Sequence, residues 1–555
     1  MSKRRWGEAV LCMFVVLIMV GSFSSNAAAQ MSTGFHGFFE SSFVLRDTTG
    51  IQNGFFDQAE GVQQRNTLKF DIDVDPNMSW GPIAVQKIHL TFRGAYDSIF
   101  DLRANEYDIK DNMGASRFDY GLEDIRFEAD LREAFIDISY KGPLGRGFFR
   151  PGRQIVSWGE GMLETLNDVI NPPDNSFNLF FQNPDDVKTP LWMGRLNYSL
   201  PSTMTNLALN FDFLLIPDIR PTQFGPLDTL ANSTSEGQLE APYAKILPFA
   251  DNRGVTKFRY DVPTDNNEYG AKVSAQIGDR LNLSFVYFRD VVNEPGVVMK
   301  DYKVGAIPVF PLSLQPTPTT ASLTYNKQHV YGGFFSYQLL MFGMEAIVRG
   351  EVSHYTAYPI SLPRSEYITE KNAAGFPVAQ YTFEYRPVTK TMLAIDKDLR
   401  LRWLSKDLTK VSVEWIHKTI NEWDNYLGES HYSPYYEGTT LYWDNNNVMG
   451  TNASHRNKML RYDRRNMREQ DVFMLQIMTY WWASKLNPML IVAVNPGKHG
   501  EGTTYMIKPS IKWYITSTLY TDLKMQAFLG DKDACYGFAD GIETSEVTLK
   551  LGYEW

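Results

Sequence analysis

Histidine and hydroxyl side chains are the groups in this sequence that could carry out hydrolysis. Eight histidines are present, and no two of them have the helical spacing that builds a zinc hydrolase site with a glutamate. The G-x-S-x-G motif of a nucleophile elbow is also absent. His354 and His417 fall on the predicted outer faces of strands, where a membrane-embedded phospholipase would need a serine and histidine pair. We interpret both as interfacial residues, since histidine suits positions where one end of the side chain is wet.

One glycine-rich stretch and one apolar stretch also need a chemical interpretation. NPGKHGEGTT (495 to 504) lacks the G-K-[ST] ending of a phosphate loop, so we interpret it as an outer hairpin turn and expect neither a cofactor nor a metal site. GRQIVSWGEGMLETLNDVINPPD (152 to 174) begins like a strand and continues through two glycines, apolar residues and a double proline. Because apolar surface costs about 25 cal/mol per Å² in water, the surrounding elements must bury this stretch.

Alternation of apolar and polar residues identifies those elements as strands. In TLKFDIDVD (67 to 75), apolar side chains share one face while lysine and aspartate share the other. NLALNFDFLL (206 to 215), EYGAKVSAQI (268 to 277) and the last strand of the chain repeat the pattern. Beyond the first thirty residues there is no apolar run long enough for a transmembrane helix, so any membrane span must be a barrel.

The lengths of the connections predict how the strands are arranged. Short connections such as GDR (278 to 280) alternate with long gaps at about 47 to 64, 97 to 122, 158 to 189, 217 to 267, 291 to 327, 356 to 389, 419 to 469, 495 to 503 and 530 to 544. Bacterial outer-membrane barrels alternate tight periplasmic turns and large outer loops in this way. We therefore predict an all-β, transmembrane antiparallel up-and-down β-barrel of about eighteen strands. Sixteen is the alternative, because the strands near 125 to 140 and 390 to 404 are blurred.

The amino terminus and the composition agree with an exported membrane protein. A basic stretch (residues 3 to 5) precedes an apolar run (residues 9 to 20), and AAAQ follows at residues 27 to 30, which predicts a signal peptide over 1–29 and a barrel over 30–555. Cleavage removes three basic residues and one acidic residue and changes the formal net charge from -10 to -12, which disfavours nucleic acid as a partner. Cys535 is then the only cysteine, so no intramolecular disulfide can form. We expect the outer membrane of a Gram-negative bacterium and contact with its lipids.

Within such a barrel, the 158–189 connection is expected to fold inward. Gly159 and Gly161 permit a sharp turn, and Pro172-Pro173 stiffens the return. The alternative is a loop that packs against neighbouring loops. The inner-face charges carry both signs, and either a selective path or bracing of the wall would explain them. We predict the constriction or substrate path at Arg153, Gln154, Trp158, Glu160, Asp168, Asn171, Asp174, Phe177, Phe180 and Phe181.

The run GRQIVSWGEG followed by NDVINPPD resembles the signature of a family of outer-membrane β-barrel proteins, domain of unknown function 1302. The segment from 394 to 417 also resembles a family segment, and the likeness covers most of the mature chain. Family members are usually encoded beside resistance-nodulation-division exporters and a companion periplasmic protein. The resemblance therefore implies lipid or hydrophobic-molecule traffic, with an exporter and a periplasmic companion as partners, and it brings no catalytic residues. Its most specific residues are Arg153, Gln154, Trp158, Gly159, Glu160, Asp168, Asn171, Pro172 and Asp174.

The end of the chain and the absence of catalytic groups complete the prediction. Tyr553-Glu554-Trp555 is similar to the C-terminal aromatic signal read by the outer-membrane assembly machinery, an expected partner through Trp555. We predict an outer-membrane channel or transport protein for lipid-like or hydrophobic molecules. A diffusion porin for small polar solutes and a structural or adhesive barrel are the alternatives. An enzyme is not expected, because no nucleophile and base can be placed together.

Overall fold

Eighteen strands form one antiparallel barrel in the computed structural model of the chain. It describes residues 32–47, 59–103, 126–174, 187–201, 206–222, 257–263, 267–293, 295–307, 313–341, 344–362, 366–405, 407–428, 443–444, 447–448, 466–497, 503–530 and 546–555. The barrel strands are β1 (Ser32–Asp47), β2 (Ala59–Asp75), β3 (Ile83–Asp97), β4 (Phe127–Gly142), β5 (Gly145–Gln154), β6 (Leu191–Ser199), β7 (Leu207–Ile216), β8 (Glu268–Ile277), β9 (Leu281–Val291), β10 (Lys327–Met341), β11 (Met344–Ser361), β12 (Phe383–Leu399), β13 (Thr409–Ile420), β14 (Glu469–Thr479), β15 (Leu486–Asn495), β16 (Thr504–Tyr514), β17 (Leu519–Gly530) and β18 (Glu546–Glu554).

Each strand pairs with the next, and the last strand closes the ring on the first. β18 runs antiparallel to β1 from Glu554 opposite Phe38 to Glu546 opposite Arg46. Beyond this ladder, the backbone N–H of Trp555 donates to the carbonyl of Gly37 at 3.1 Å. Closure matters because a sheet with open edges would leave backbone groups unpaired in hydrocarbon. The strand number of eighteen is confirmed over sixteen, and the two blurred regions are β4 and β12.

The connections sort by length onto the two ends of the barrel, as predicted. The end that carries the chain termini has only short connections, such as 143–144 between β4 and β5 and 278–280 between β8 and β9. The opposite end carries the long connections, including 155–190 between β5 and β6 and 217–267 between β7 and β8. The antiparallel strands β15 and β16 are joined at this end by 496–503, of which 498–502 lie outside the described residues. By the rule for bacterial barrels, the short turns face the periplasm.

Burial is inverted relative to a water-soluble protein. Large apolar side chains on the outer face are exposed, while charged side chains on the inner face are buried. On β3, for example, Phe92 and Tyr96 point outward and alternate with the inward His89 and Arg93. Such a surface is stable when lipid covers it, so the barrel is of the outer-membrane type. Among the described residues, no helix is long and apolar enough to cross a bilayer.

Smaller secondary-structure elements lie outside the eighteen barrel strands, mostly at the end that carries the long connections. Three long connections contribute to a separate five-stranded sheet, in the order Ile368–Lys371, Pro377–Tyr381, Gly296–Ile307, Ser313–Thr324 and Lys257–Asp261. The remaining elements are the strand Met78–Trp80 beside β3, the one-turn helix Ile99–Leu102, the 3-10 turn Asn425–Gly428 and the paired strands Trp443–Asp444 and Asn447–Val448. The predicted signal peptide lies outside the described residues and stays a prediction.

Candidate functional site

The long connection after β5 enters the barrel instead of leaving it. Its described parts are 155–174, which we name the crossing segment, and 187–190, which leads into β6. The two parts lie side by side at their base. The N–H of Thr189 donates to the carbonyl of Pro172 at 2.9 Å, and the N–H of Asp174 donates to the carbonyl of Val187 at 2.6 Å. The double proline therefore sits on the return of the loop, as predicted.

Asn171 joins the start of the crossing segment to its return. Its Oδ1 accepts from the N–H of Val156 at 2.8 Å, and its Nδ2 donates to the carbonyl of Thr189 at 2.8 Å. Next to it, Glu133 of β4 accepts from the N–H of Ile155 at 2.9 Å. Asn171 is buried, so this amide replaces water for backbone groups that have left the strand ladder.

Arg153 and Gln154 hold the strand end from which the segment departs. The guanidinium of Arg153 lies 2.9 Å from Oδ1 of Asp130 and donates to the carbonyl of Leu131 at 2.5 Å. Gln154 donates to the carbonyl of Arg150 at 2.9 Å. Both side chains are buried in the wall, so they act as anchors.

Trp158 fills the inside of the β7–β9 wall. Its side chain is 1% exposed and meets Phe288 edge-on with ring centroids 6.2 Å apart. The indole N–H donates to Oδ2 of Asp212 at 3.3 Å, and Arg195 holds the same carboxylate through two hydrogen bonds of 2.9 and 2.6 Å. The indole thus has both the apolar contact and the polar partner that a buried tryptophan requires.

A buried glutamate of β11, Glu351, binds the turn that follows. Its Oε1 accepts from the N–H groups of Glu160 and Gly161, the latter at 2.6 Å. Its Oε2 accepts from the N–H groups of Leu166 and Asn167 at 2.8 and 3.3 Å. The carboxylate is 3% exposed. Four backbone donors thereby replace its hydration, and charge-assisted hydrogen bonds of this kind are the strong ones.

The two glycines of the turn are required by its geometry. Gly159 has a φ of +122°, a conformation that side chains with a Cβ rarely adopt. A Cβ on Gly161 would lie 2.0 Å from the carbonyl oxygen of Glu164. Both glycines lie at the sharp turn that the sequence predicted there, while the inward fold of the whole 158–189 connection stays a prediction because 175–186 lie outside the described residues.

Glu414 of β13 repeats the arrangement of Glu351 at the far wall. Its two carboxylate oxygens accept from the N–H groups of Met162 and Leu163, each at 3.0 Å. The residue is fully buried, and Arg349 lies 4.0 Å from it. Two acidic residues on neighbouring parts of the wall thus hold the same short stretch of backbone.

The carbonyl of Leu166 and the side chain of Asn167, which follow this turn, also contact the barrel wall. The carbonyl of Leu166 accepts from the hydroxyls of Ser353, at 3.0 Å, and Tyr355. Asn167 lies against the backbone of β10, where a Cβ on Gly332 would be 1.8 Å from its Oδ1. Only glycine leaves space for this amide.

Apolar contacts extend the segment across the lumen. Leu166 packs with Met392, Ala394 and Ile416 on β12 and β13. Leu163 reaches the buried side chains of β14, β15 and β16, which are Met474, Ala493 and Met506. Half of the ring separates β5 from β14, so the crossing segment spans the lumen from one side to the other.

Two ion pairs tie the charged groups of the segment. Lys390 lies 2.5 Å from Oε1 of Glu164, and Lys188 pairs with Asp168. Burial raises the pKa of Asp168, and the Lys188 ammonium opposes this without cancelling it. For Glu164, burial also acts to raise the pKa, but attraction by Lys390 and Lys418 outweighs it and the pKa falls. Burial raises the pKa of Glu160, against the attraction of Arg349.

The opposite part of the lumen is lined by charge. We name the inner face of β17, β18 and β1–β4 the charged wall. Three of its pairs join neighbouring strands: Lys87 with Asp73 at 2.8 Å, Arg93 with Glu128 at 2.5 Å and Lys550 with Glu40 at 2.8 Å. A fourth pair, Lys524 with Asp522 at 3.0 Å, lies within β17. The cross-strand pairs brace the wall, and all four line the space that the crossing segment leaves.

The residues predicted for the constriction divide by their surroundings. Arg153, Gln154, Trp158 and Asn171 are buried, and each holds the segment or its base. Asp168 is tied to Lys188, while Glu160 and Asp174 are half-buried. Their role as a substrate path stays a prediction, and Phe177, Phe180 and Phe181 lie outside the described residues. Glu414, Ser353 and Lys390 were not predicted as site residues, because each is one polar residue among several on the inner face of its strand and nothing in the sequence sets it apart.

The two outward histidines have polar partners at the membrane surface. His354 Nδ1 lies 3.0 Å from the hydroxyl of Thr389. His417 lies between Asp471, 2.7 Å from Nδ1, and Thr419, 2.9 Å from Nε2, in the order of a catalytic triad. The strand ladders on both sides of β13 engage its backbone N–H groups beyond this point, so they are not available as an oxyanion hole. The geometry therefore favours a structural role at the interface.

Comparisons with known proteins give a family and distant structural likenesses. A family model described as "Protein of unknown function (DUF1302)" matches residues 24–554. No curated protein matches the sequence. OccAB1 of Acinetobacter baumannii is 10% identical over 96% of this chain and 99% of its own, with a TM-score of 0.46. OccK1 (OpdK) of Pseudomonas aeruginosa (7% identical) and a BenF-like porin of Pseudomonas fluorescens (8%) each cover 94% of this chain and 98% of their own, with TM-scores of 0.44.

Proposed function

We propose, from the premise that this chain belongs to the DUF1302 family of proteins of unknown function, that it is an outer-membrane transport protein for lipid-like or hydrophobic molecules. The observation that carries the proposal is the crossing segment, which spans the lumen and packs Leu163 against apolar side chains of the far wall. A path for polar solutes gains nothing from apolar side chains in the lumen. A path for apolar cargo needs them, because they replace the water that such a cargo must leave.

A diffusion porin for small polar solutes is the second candidate, and the charged wall is the observation that favours it. Its lysine, arginine and carboxylate side chains would keep water in the part of the lumen that the crossing segment leaves. Both functions use the same barrel, so they differ in what the crossing segment does to conduction.

Conductance in planar bilayers separates the two candidates. We expect the purified wild-type protein to show little steady conductance, and a variant lacking 158–167 to show a large one, because the deletion removes the part of the segment that spans the lumen. A steady large conductance of the wild type that the deletion leaves unchanged would favour the porin. Heat modifiability on gels serves as the control that the deletion variant still forms a barrel.

Transfer of an apolar probe then tests the cargo. Proteoliposomes that contain the protein should exchange a fluorescent fatty acid or sterol ester faster than empty liposomes, and the deletion should change that rate. Unchanged exchange together with lost surface binding on trimming of the outer loops would instead indicate a structural or adhesive barrel.

The proposal includes partners in the cell envelope. The resemblance of GRQIVSWGEG and NDVINPPD to the family signature supports an inner-membrane exporter and a periplasmic companion, which would bring cargo to the short-turn end of the barrel. Cross-linking in whole cells from cysteines introduced at the 278–280 turn should capture the companion. Cysteines introduced at the 496–503 hairpin, on the opposite end, provide the matched control.

A further inference from the structure

The inner face of β14–β16 differs in chemistry from the walls beside it. Directly opposed pairs share a face, and the register places Met474 opposite Ala493, Met478 opposite Met489 and Ala493 opposite Met506. Leu163 of the crossing segment packs on this face, which fixes it as the lumen side. Gln476, opposite Ile491, lies on the same face and donates to Sδ of Met489 at 3.1 Å. We name the inward residues around it, Met474, Met478, Met489, Ile491, Ala493 and Met506, the methionine patch.

Methionine suits a surface that must accept more than one shape of apolar ligand. Its side chain is unbranched and polarizable, and such residues are frequent at promiscuous binding surfaces. In the protein the patch is covered in part by Leu163, and the adjacent Met162 is 50% exposed. The tip of the crossing segment therefore occupies the place that an apolar ligand would take.

A lysine row borders the patch. Lys508 follows Met506 at the next inward position of β16, and Ser510 and Lys512 continue the same face. The charged groups that act on Lys508 from the neighbouring strands are Lys524 and Asp522 of β17 and Lys550 of β18. An apolar surface thus passes directly into a basic one along a single strand.

This juxtaposition matches an amphiphile with an anionic head. We propose that the methionine patch binds the chain of a single-chain anionic amphiphile, such as a fatty acid, with its carboxylate at Lys508, and that the chain displaces Leu163. The inference rests on the proposed transport of lipid-like molecules and names the class of cargo. An acyl chain gains about 0.8 kcal/mol per buried CH₂, so chain length sets the affinity.

The barrel wall behind the patch has a short ladder. The pairing of β14 with β15 extends from Phe473 opposite Val494 to Met478 opposite Met489 and resumes as a single bridge between Trp481 and Leu486. The pairing of β13 with β14 is unbroken from Thr409 opposite Thr479 to Thr419 opposite Glu469. Pro488 of β15 has no N–H to donate. The wall at the patch is therefore less firmly paired than its neighbour, which suits a surface that must adapt to a ligand.

Photo-cross-linking with a diazirine-bearing fatty acid tests the site in the full-length protein reconstituted in lipid nanodiscs. We expect mass spectrometry to locate adducts on the patch and Met474→Gln/Met506→Gln to reduce them about tenfold, the equivalent of losing about two buried methylenes. Lys508→Gln should weaken labelling by the acid while sparing labelling by the matching alcohol. Lys87→Gln in the charged wall is the matched control and should change neither. Adducts spread over the lipid-facing strands, or unchanged in the double variant, overturn the site.

Transport measured on the same variants distinguishes this inference from the proposed function. Labelling of the patch without any transfer of fatty acid between vesicles would leave the site in place and overturn the transport function. Normal transfer by the double variant, with no labelling of the patch in the wild type or in the double variant, would overturn the site and leave the transport function in place. Acetate, which has the carboxylate but no acyl chain, should compete neither with labelling of the patch nor with transfer between vesicles.

Discussion

The two sides of the lumen handle buried charge in different ways. Around the crossing segment, the carboxylates of Glu351 and Glu414 bind backbone N–H groups of a single loop. In the charged wall, carboxylates such as Asp73 and Glu40 bind lysines on neighbouring strands. The first arrangement connects parts of the chain that are far apart and fixes one conformation. The second connects neighbours that strand pairing already holds, and several of its side chains reach water.

The difference teaches which contacts set the state of the lumen. Breaking a partly exposed charged-wall pair such as Lys87–Asp73 leaves two side chains that can turn to water, so the barrel keeps its shape. Breaking a contact to Glu351 or Glu414 leaves backbone donors or a carboxylate buried without a partner, which is far more costly. Substitutions on the two sides should therefore have unequal effects, and their order can be stated.

The largest effect is expected for Glu351→Ala. Four backbone N–H groups lose their acceptor, so the free energy of unfolding should fall by about 3–5 kcal/mol and single-channel conductance should rise as the segment detaches. Urea unfolding in lipid vesicles and bilayer recordings measure the two. Glu345→Ala, an exposed glutamate on the same strand, is the control. Equal behaviour of the two variants would break the comparison between the two sides.

Gly332→Ala should come next. Its Cβ would lie 1.8 Å from Oδ1 of Asn167, and overpacking of this kind costs about 1–3 kcal/mol. The shifted amide should loosen the segment and raise conductance. Gly94→Ala, beside the charged wall, meets no atom closer than 3.9 Å and should be neutral in both assays. An unchanged Gly332→Ala variant would show that Asn167 does not hold the segment.

Glu414→Gln should have a moderate effect, about 1–2 kcal/mol. The amide has one oxygen, so the N–H of either Met162 or Leu163 must face its NH₂ group. Glu133→Gln is the control, because among the described residues Glu133 accepts one backbone N–H, that of Ile155, which an amide oxygen can still accept. The other partner of Glu133, Nε2 of His89 at 3.5 Å, can still interact with the amide. Equal losses of stability in Glu414→Gln and Glu133→Gln would mean that the second backbone N–H group bound by Glu414 contributes nothing.

Lys87→Gln in the charged wall should change stability by less than about 1 kcal/mol, because exposed pairs contribute little. Removing this positive charge should shift the selectivity of a segment-deleted channel toward cations. The reversal potential in a salt gradient measures that shift. A loss of stability as large as that of Glu351→Ala would contradict the distinction drawn between the two sides.

The smallest effect is expected from acid. The pKa of Glu164 is lowered, so its pairing with Lys390 contributes fully above the ordinary range of a glutamate, about pH 4.3, and is lost as the pH falls below it. Glu164 is 45% exposed, so solvent reduces the contribution. The difference in stability between wild type and Glu164→Gln should therefore be small at neutral pH and vanish in acid. A stability difference between the two proteins that grows as the pH falls would contradict the lowered pKa of Glu164.

The barrel could be predicted from the sequence because its physics is local and repetitive. Alternation sets the face of each residue, and the order of long and short connections sets the topology, so eighteen strands followed without any distant contact. The inward turn at Gly159 could also be predicted, because glycine marks it. The carboxylates that accept from this turn could not be predicted. Glu351 and Glu414 lie 191 and 252 residues from the backbone groups that they bind, and a single sequence carries no signal for such pairs.

Those separations also constrain the order of assembly. The backbone groups of 160–167 gain their carboxylate acceptors only when β11 and β13 lie in the same sheet as β5. Until then, water must solvate these peptide groups. The loop joins β5 to β6 at the end that carries the long connections, so it can enter the lumen through that end without breaking a strand pair, and the barrel wall can close before the interior is filled.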